Sequence, residues 1–239
     1  MDRVPEPEIM DDPAQAAAYA RADFADVNQR FVDGLLERFP GIDGALVVDL
    51  GCGPADIDVR LARAAPRVRV IALDASLPML RLGREALEGL PEARRVALVA
   101  ARLPGLPLPD VSADAVVSNS LLHHLTEPAA LWQEVRRIGR PGGVVHVMDL
   151  FRPPSVEAAR RIVETAAADE DPILKQDFFN SLLAAFTPEE VDRQLRDAGL
   201  GDLRCTVVSE RHLLVSGRLP SGQPARAATR STSSGGVNE

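Results

Sequence analysis

The chain has 239 residues, of which 46% are hydrophobic, and a formal net charge of −8. This length suffices for one well-buried α/β domain with additional helices and is too short for two large domains. The acidic balance argues against nucleic acid as a partner, because phosphate binding needs clustered lysines and arginines. The sequence has no apolar run near the ~20 residues that cross a bilayer, so we expect no integral membrane segment.

The N-terminal stretch 1–8 is polar and acidic. A secretory signal would need a basic start and an apolar core, so this stretch predicts a cytoplasmic protein with a flexible lead over residues 1–12. The two cysteines, Cys52 and Cys205, provide neither the paired spacing of a metal site nor a disulfide framework. We therefore expect both to be small buried residues, and we expect no bound metal.

Pro13 is expected to open a helix that ends near Phe39, where proline and glycine follow. Apolar residues recur along this stretch at the spacing of one helix face. They are Ala17, Tyr19, Phe24, Val27, Phe31, Leu35 and Leu36. Residues 1–40 are therefore predicted to form an N-terminal helical cap before the core of the domain.

A glycine turn follows the first buried strand, which is predicted at Val47–Leu50. Gly51 and Gly53 allow a tight turn and a close backbone approach, and Ile57–Ala65 has the pattern of the helix behind it. The next apolar run ends at Asp74, whose carboxylate would reach the two ribose hydroxyls of a ligand at the sheet edge. This spacing is that of one βαβ unit and indicates a nucleotide-like cofactor.

Further βα repeats follow in the central part of the chain and imply a parallel sheet. Ser76 and Thr126 are predicted to cap helices, and a proline-rich loop is expected over Pro104–Pro109. The helices are predicted at Leu77–Leu90 and Glu127–Arg137, and the strands at Arg94–Val99, Asp114–Ser118 and Val144–Leu150.

The C-terminal part interrupts the alternation with one or two helices over residues 153–186, a predicted helical lid. Thr187–Glu190 then combines an N-cap, a proline and an acidic first turn, which predicts a helix that stops at Gly199. A closing hairpin is expected at Leu203–Val208 and His212–Ser216. Residues 1–217 are thus predicted to form one domain, and 218–239 a disordered tail.

Four stretches together resemble class I S-adenosylmethionine (SAM) methyltransferases, in particular the small-molecule group similar to ubiquinone and menaquinone methyltransferases. The resemblance is close over residues 42 to 150. The stretches are Asp49–Pro54 (D-L-G-C-G-P), Leu73–Leu80 (L-D-A-S-L-P-M-L), Leu106–Asp110 before Asp114–Asn119, and Arg140–Gly143 (R-P-G-G) before a strand.

The resemblance implies an α/β fold with a doubly wound, mostly parallel, seven-stranded Rossmann-like sheet. It also implies SAM-dependent methyl transfer to an oxygen, nitrogen, sulfur or carbon atom of a small molecule, which yields S-adenosylhomocysteine. A SAM-binding scaffold or sensor without turnover is an alternative, and a macromolecule methyltransferase would need a basic docking face that the charge of −8 disfavours. The oligomeric state is left open, a homodimer included.

A nicotinamide dinucleotide is the alternative ligand for a Gly-x-Gly turn after a strand. Its fingerprint requires Gly or Ala at the sixth position, where the helix packs beneath the pyrophosphate, but Asp56 stands there. A carboxylate repels a pyrophosphate, whereas SAM has a sulfonium and an ammonium group. An acidic rim of Asp49, Asp56 and Asp74 therefore favours SAM over NAD.

The resemblance implies a set of cofactor contacts along the carboxyl edge of the sheet. Gly51 and Gly53 would contact the methionine portion, Asp49 its ammonium group, and Asp74 the ribose. Family members often bind the adenine amino group with an Asp, but Arg102 stands in that region here, so the backbone of Arg102 and Leu103 is expected to replace it. The implied set is Asp49, Gly51, Cys52, Gly53, Asp74, Ala75, Met79, Arg102, Leu103 and Asn119.

His123 and His124 follow the polar end of the fourth strand at Asn119 and are the candidate catalytic residues. An imidazole with a pKa near ~6.5 can take a proton from a hydroxyl, thiol or amine. The alternative is that they cap the next helix or bond to the backbone. Metal binding is not expected, since neighbours in sequence diverge on a regular element and no Asp or Cys partner is near.

Candidate substrate contacts lie on several elements, and each also has a purely structural interpretation. Asp149 and Arg152 follow the fifth strand, but Asp149 would equally cap a loop. Phe178 on the lid would cover a planar or apolar acceptor, but core packing explains it equally well. The remaining candidates are Tyr19 and Asn28 on the first helix and Arg211 in the hairpin.

Overall fold

The computed structural model describes residues 1–6, 12, 16, 19, 22 and 24–221. Its strands are β1 (Leu46–Leu50), β2 (Arg69–Asp74), β3 (Val96–Ala100), β4 (Ala113–Asn119), β5 (Gly139–Leu150), β6 (Arg204–Val207) and β7 (His212–Arg218). They form one sheet in the order β3-β2-β1-β4-β5-β7-β6. β1 to β5 pair in parallel, and β7 is antiparallel to both β5 and β6. The predicted mostly parallel sheet with a closing hairpin is confirmed.

Helices connect the strands and cover the sheet. They are α1 (Ala25–Arg38), α2 (Asp56–Ala64), α3 (Leu77–Leu87), α4 (Ala129–Ile138), α5 (Val156–Ala166), α6 (Pro172–Ala184) and α7 (Pro188–Asp197). Single 3-10 turns lie at Pro40–Ile42, Pro91–Arg94 and Leu122–His124. The region predicted as a helical insertion contains α5 and α6. α7 opens as predicted, because the Thr187 hydroxyl accepts the N–H of Glu190 at 3.3 Å and the Glu190 carboxylate accepts the N–H of Thr187 at 2.8 Å.

Both faces of the sheet are buried. Val47 of β1 belongs to a core cluster with Phe31 and Leu35 of α1. Val48, the next residue, belongs to the opposite cluster with Trp132 of α4 and Leu195 of α7. Successive side chains of a strand point to opposite faces, so a parallel strand that is covered on both sides is a continuous apolar run. This is the physical origin of the run that predicted β1.

The N-terminal helix differs from the prediction. One helix was expected from Pro13 to Phe39, but α1 begins only at Ala25, and Phe24 before it is not helical. The N–H of Ala22 bonds to the Tyr19 carbonyl, and the rings of Tyr19 and Phe24 lie 4.7 Å apart between centroids. The helical path is therefore interrupted at Phe24, beside the contact between these two rings.

The C-terminal boundary also differs from the prediction of disorder from residue 218. Arg218 ends β7, and Leu219 is 5% exposed and donates its N–H to the Gly143 carbonyl at 2.8 Å. The rest of the predicted tail, residues 222–239, lies outside the described residues. Within the described ranges, the helices are too short or too polar to cross a membrane. The cytoplasmic location stays a prediction.

His146 is a buried histidine in the middle of β5, 1% exposed. Its ring meets that of Phe31 edge to face at 4.8 Å between centroids. Burial, together with a smaller effect of the nearby Arg38 charge, lowers the pKa of His146 to about 4. The folded protein therefore holds this imidazole in its neutral form.

We expect acid to destabilise the protein partly through His146. Because the folded-state pKa is lowered, the unfolded state binds a proton first as the pH falls from about 6.5 towards about 4, and stability is lost over that range. When the pH falls from about 7 to about 4.5, the free energy of unfolding of His146→Gln should decrease by about 2 kcal/mol less than that of the wild type. Urea unfolding at both pH values measures this, and equal losses in the two proteins would contradict it.

Candidate active site

A cavity of about 660 Å³ opens at the carboxyl edge of the sheet, beside the ends of β1, β2 and β4. In an open α/β sheet this is where the strand order reverses and ligands bind. Most predicted site residues line this cavity. They are Tyr19, Asn28, Gly51, Gly53, Asp74, Ala75, Met79, Arg102, Leu103, Asn119, His123, His124, Phe178 and Arg211. Asp49, Cys52, Asp149 and Arg152 do not line it.

Asp74 is fixed by the backbone on both sides of the crevice. Its Oδ2 accepts the N–H of Gly53 at 2.8 Å, and its Oδ1 accepts the N–H of Ser76 at 2.8 Å. The side chain is thus held in one orientation while it remains part of the cavity wall.

The two glycines of the turn serve different purposes. Gly51 has a φ of +76°, and a Cβ on it would lie 3.0 Å from the side chain of Leu121, so the glycine is needed within the protein itself. Gly53 has a φ of +52°, and a Cβ on it would meet no protein atom within 4 Å. Gly53 therefore leaves open space on the cavity wall next to Asp74, where a ligand can approach the backbone.

The predicted acidic rim is largely absent from the cavity. Asp56 instead receives bonds from Arg60 at 2.7 Å and from Asn28 Nδ2 at 2.9 Å, which joins α1 to α2. Asp49 is 3% exposed and does not line the cavity, and its contact with a cofactor ammonium group stays a prediction. Of the three predicted acids, Asp74 alone lines the cavity.

Asp49 shares its buried position with Asp58, a residue that the sequence analysis did not single out. Asp58 is 1% exposed. Burial raises the pKa of Asp49 well above its ordinary range, and the neighbouring Asp58 raises it further. Burial also raises the pKa of Asp58 to about 7. Two adjacent buried carboxyls reduce this cost by sharing a proton, so the pair carries about one negative charge where two separate carboxylates would carry two.

Cys52 and Cys205 are both free thiols. Cys52 is buried beneath the turn as expected, whereas Cys205 on β6 is only partly buried. Cys52 therefore belongs to the protein core and not to the cavity wall, which corrects its expected cofactor contact.

The other side of the cavity contains the predicted adenine region. Ala75 and Met79 at the start of α3 lie on the same wall as Leu103. Ser76 caps α3 as predicted, since its Oγ accepts the N–H of Met79 at 3.3 Å. The N–H of Ala101 bonds to the Asp74 carbonyl at 2.9 Å and ties this loop to the end of β2. The wall is mainly apolar, as a purine ring requires.

Asp149 holds the histidine turn in place. Its Oδ1 lies 2.5 Å from His123 Nδ1, and its Oδ2 accepts the backbone N–H of Leu122 at 2.6 Å. Asp149 is 1% exposed and orients His123, and its contact with a substrate stays a prediction. Burial alone would lower the pKa of His123, but the Asp149 and Glu6 carboxylates outweigh it and the pKa is raised.

The two histidines do not diverge as the sequence analysis expected. Their ring centroids lie 4.1 Å apart because the chain forms a tight 3-10 turn. Glu6 is the carboxylate partner that was missed: its Oε1 lies 3.5 Å from His123 Nε2 and 3.1 Å from His124 Nδ1. Burial raises the pKa of Glu6, while His123 and the hydroxyl of Ser181 oppose that shift. No local pattern links a glutamate in the N-terminal lead to a turn so distant in sequence.

Residues 1–6 are held against the domain, which corrects the expected flexible lead over this part. Arg3 donates from Nη2 to the carbonyls of His123 and Leu125, both at 2.9 Å. Its Nε donates to the Ala184 carbonyl at the end of α6, and its guanidinium lies 4.0 Å from the ring centroid of Phe186. Arg3 thereby brings Glu6 to the histidine pair.

Arg152 is also used inside the protein. It pairs with Glu190 at 2.7 Å and donates to the Ala185 carbonyl at 2.8 Å. It is 8% exposed and lies away from the cavity, so the predicted substrate contact is not made. The Arg211 guanidinium, by contrast, lines the cavity 5.8 Å from the ring centroid of Phe178.

Tyr19 lines the cavity from the N-terminal side. Burial, together with a smaller contribution from nearby carboxylates of which Asp74 is the largest, raises its pKa to about 12. The phenol is therefore neutral and can donate a hydrogen bond into the cavity at any physiological pH.

The chain is similar to known methyltransferases. A family model described as a methyltransferase domain matches residues 48–147. Trans-aconitate 2-methyltransferase of Azoarcus sp. is 37% identical over 124 residues, which cover 52% of this chain and 46% of that protein. Demethylmenaquinone methyltransferase of Roseiflexus castenholzii is 30% identical over 170 residues, 67% of this chain and 70% of that protein. A SAM-dependent methyltransferase structure from Aquifex aeolicus has the same fold, with a TM-score of 0.65, 20% identity, and coverage of 87% and 98%.

Asp58→Asn should raise the free energy of unfolding at alkaline pH and leave it nearly unchanged at about pH 4. Because the folded-state pKa of Asp58 is raised to about 7, the wild type loses stability as the pH rises through that value. Asparagine resembles the protonated carboxyl and removes this loss, by about 2 kcal/mol or more at about pH 8.5. Chemical denaturation at the two pH values measures the difference. A stabilisation that is independent of pH would contradict the shared proton.

Proposed function

We propose, from the premise that the chain belongs to the methyltransferase-domain family, that it transfers the methyl group of SAM to a small-molecule acceptor and releases S-adenosylhomocysteine. The observation that supports this best is Asp74 beside the open face of Gly53 on one cavity wall. The match with trans-aconitate 2-methyltransferase spans less than half of that protein's length. The activity and the acceptor of the present chain are therefore proposals.

The cofactor fits the residues of this wall. Asp74 lines the cavity at the end of β2, where its carboxylate oxygens would accept hydrogen bonds from the two ribose hydroxyls. Ala75, Met79 and Leu103 provide an apolar surface for adenine, and Gly51 and Gly53 leave the backbone accessible to the methionine portion. Asn119 at the end of β4 lies between the two halves of the cavity wall. SAM supplies an electrophilic methyl group, which the attacking atom takes directly as the bond to sulfur breaks.

The acceptor would occupy the other half of the cavity. Phe178 of α6 and Arg211 before β7 line the cavity, as do His123 and His124. An aromatic ring and a guanidinium suit a small acceptor with an apolar body and a polar or anionic group. The relatives named above act on trans-aconitate and demethylmenaquinone, which supports a small-molecule acceptor.

The histidine pair is proposed to remove the proton of the acceptor atom. Alignment and exclusion of water are the main tasks in methyl transfer, and a proton must leave when the acceptor atom carries one. Asp149 holds His123 Nδ1, so Nε2 is the ring atom that remains for the reaction. α5 and α6 cover this half of the cavity and would exclude water.

Asp74→Ala should weaken SAM binding by about 1 to 3 kcal/mol through the loss of hydrogen bonds between charged and neutral groups. Calorimetric titration of stripped protein with SAM, S-adenosylhomocysteine and NAD measures this and should show binding of the first two only. Asp74→Asn is the matched control, since it keeps the size of the side chain and should lose part of the affinity. Unchanged affinity in Asp74→Ala would contradict this placement, and binding of NAD alone would overturn the cofactor.

His123→Ala and His124→Ala should separate the two histidines. Replacing the residue that removes the acceptor proton should lower turnover roughly a hundredfold or more, with little change in SAM affinity. Methyl transfer to a panel of small acceptors is the measurement, with SAM affinity of each variant as the control for folding. Full turnover in both variants would exclude a catalytic role for the pair. SAM binding without turnover on any acceptor would favour a sensor or scaffold.

A further inference from the structure

We propose that Glu6, His123 and His124 bind a divalent first-row transition-metal ion. Each residue offers one ligand atom, and these atoms lie within 4.8 Å of one another. Ligands held about 2.1 Å from a tetrahedral or octahedral ion lie about 3.0 to 3.5 Å from each other. Glu6 Oε1 lies 3.5 Å from His123 Nε2 and 3.1 Å from His124 Nδ1, which matches this spacing.

The donor set points to the class of ion. Two imidazole nitrogens and one carboxylate oxygen suit Zn²⁺, Co²⁺, Mn²⁺ or Fe²⁺, whereas Mg²⁺ and Ca²⁺ prefer oxygen ligands throughout. Three protein ligands leave coordination positions open for a further group. Both histidines line the cavity, so those positions are accessible to a molecule bound there.

Neighbouring residues hold the three proposed ligands in place through hydrogen bonds. Asp149 Oδ1 lies 2.5 Å from His123 Nδ1, and a carboxylate on the far nitrogen is the usual partner of a metal-binding histidine. The hydroxyl of Ser181 donates to Glu6 Oε1 at 3.0 Å. Arg3, which anchors the N-terminal segment by its bonds to backbone carbonyls, fixes Glu6 further.

Charge balance favours an ion over a simple ion pair among the three side chains. The two rings lie only 4.1 Å apart between centroids, so protonating both would place like charges side by side. A divalent cation lets both imidazoles stay neutral beside the Glu6 and Asp149 carboxylates. His123 is 3% exposed, so this compensation takes place where solvent screens little.

The chemical consequence rests on the proposed function. An ion at this position would bind an oxygen or nitrogen atom of the acceptor and hold it towards the SAM methyl group. It would also lower the pKa of that O–H or N–H group, whose proton would pass to a water molecule in the cavity. His123 Nε2 would then serve as a metal ligand, and the histidine pair would act on the proton through the ion and not as a base.

The test uses Co²⁺ as the probe on the full chain without a polyhistidine tag, after dialysis against a chelator and then metal-free buffer. We expect one equivalent of Co²⁺ to bind and to give the visible d–d absorption bands of a site with nitrogen ligands. Glu6→Gln and His124→Ala should each weaken binding at least about tenfold. Asp2→Asn, an exposed carboxylate on the same segment, should bind Co²⁺ like the wild type.

Two outcomes would overturn the proposal: no stoichiometric uptake of Co²⁺, or uptake that Glu6→Gln and His124→Ala leave unchanged. Glu6 lies outside the core, so Glu6→Gln reports on the site even where His124→Ala fails to fold. The SAM titration is independent of this result. Co²⁺ binding without SAM binding would overturn the proposed function alone. SAM binding and turnover without stoichiometric uptake of Co²⁺ would overturn the metal site alone.

Discussion

The candidate site depends on one buried carboxylate, that of Asp149 at the end of β5. A charge that is 1% exposed is tolerated only when hydrogen bonds replace its hydration. Asp149 finds them in the backbone N–H groups of Leu122 and Leu150, both at 2.6 Å, and in the His123 ring. Because the same side chain bonds to the backbone and the imidazole of one turn, it fixes both the path of the chain after β4 and the orientation of His123. The hydrogen bonds that compensate for the burial of Asp149 therefore also define the geometry of the histidine turn.

Asp74 performs the corresponding task on the other side of the sheet centre. It ends β2 as Asp149 ends β5, and its two oxygens hold the backbone of Gly53 and Ser76. It differs from Asp149 in lining the cavity. Asp149 lies inside the protein and orients a catalytic candidate, whereas Asp74 is placed where it can contact a ligand. Between them lie the ends of β1 and β4, where Gly51 approaches Leu121 closely.

The sequence predicts the parts of this arrangement that depend on local patterns. The apolar run of β1, the glycine turn and Asp74 lie within one βαβ unit, and the cap at Thr187 lies within four residues. The unpredicted parts are contacts between distant segments. Asp149 and Arg152 both follow β5 and were expected in the cavity, but their partners, the histidine turn and Glu190, lie elsewhere in the chain. Asp49 was expected to face the cofactor, and only the packing of α2 against the turn shows that it faces Asp58.

Glu6 is the clearest example of a contact that no periodicity could indicate, since residues 1–6 have no regular secondary structure. Their position comes from Arg3, which bonds to carbonyls of the histidine turn and of α6 at once. These carbonyls are orphan acceptors of a 3-10 turn and a helix end, which would otherwise need water. The guanidinium satisfies them and also lies over Phe186. The same interaction that completes two backbone ends thus brings a carboxylate to the histidine pair, so the shape of the site and the order of the N-terminal segment depend on each other.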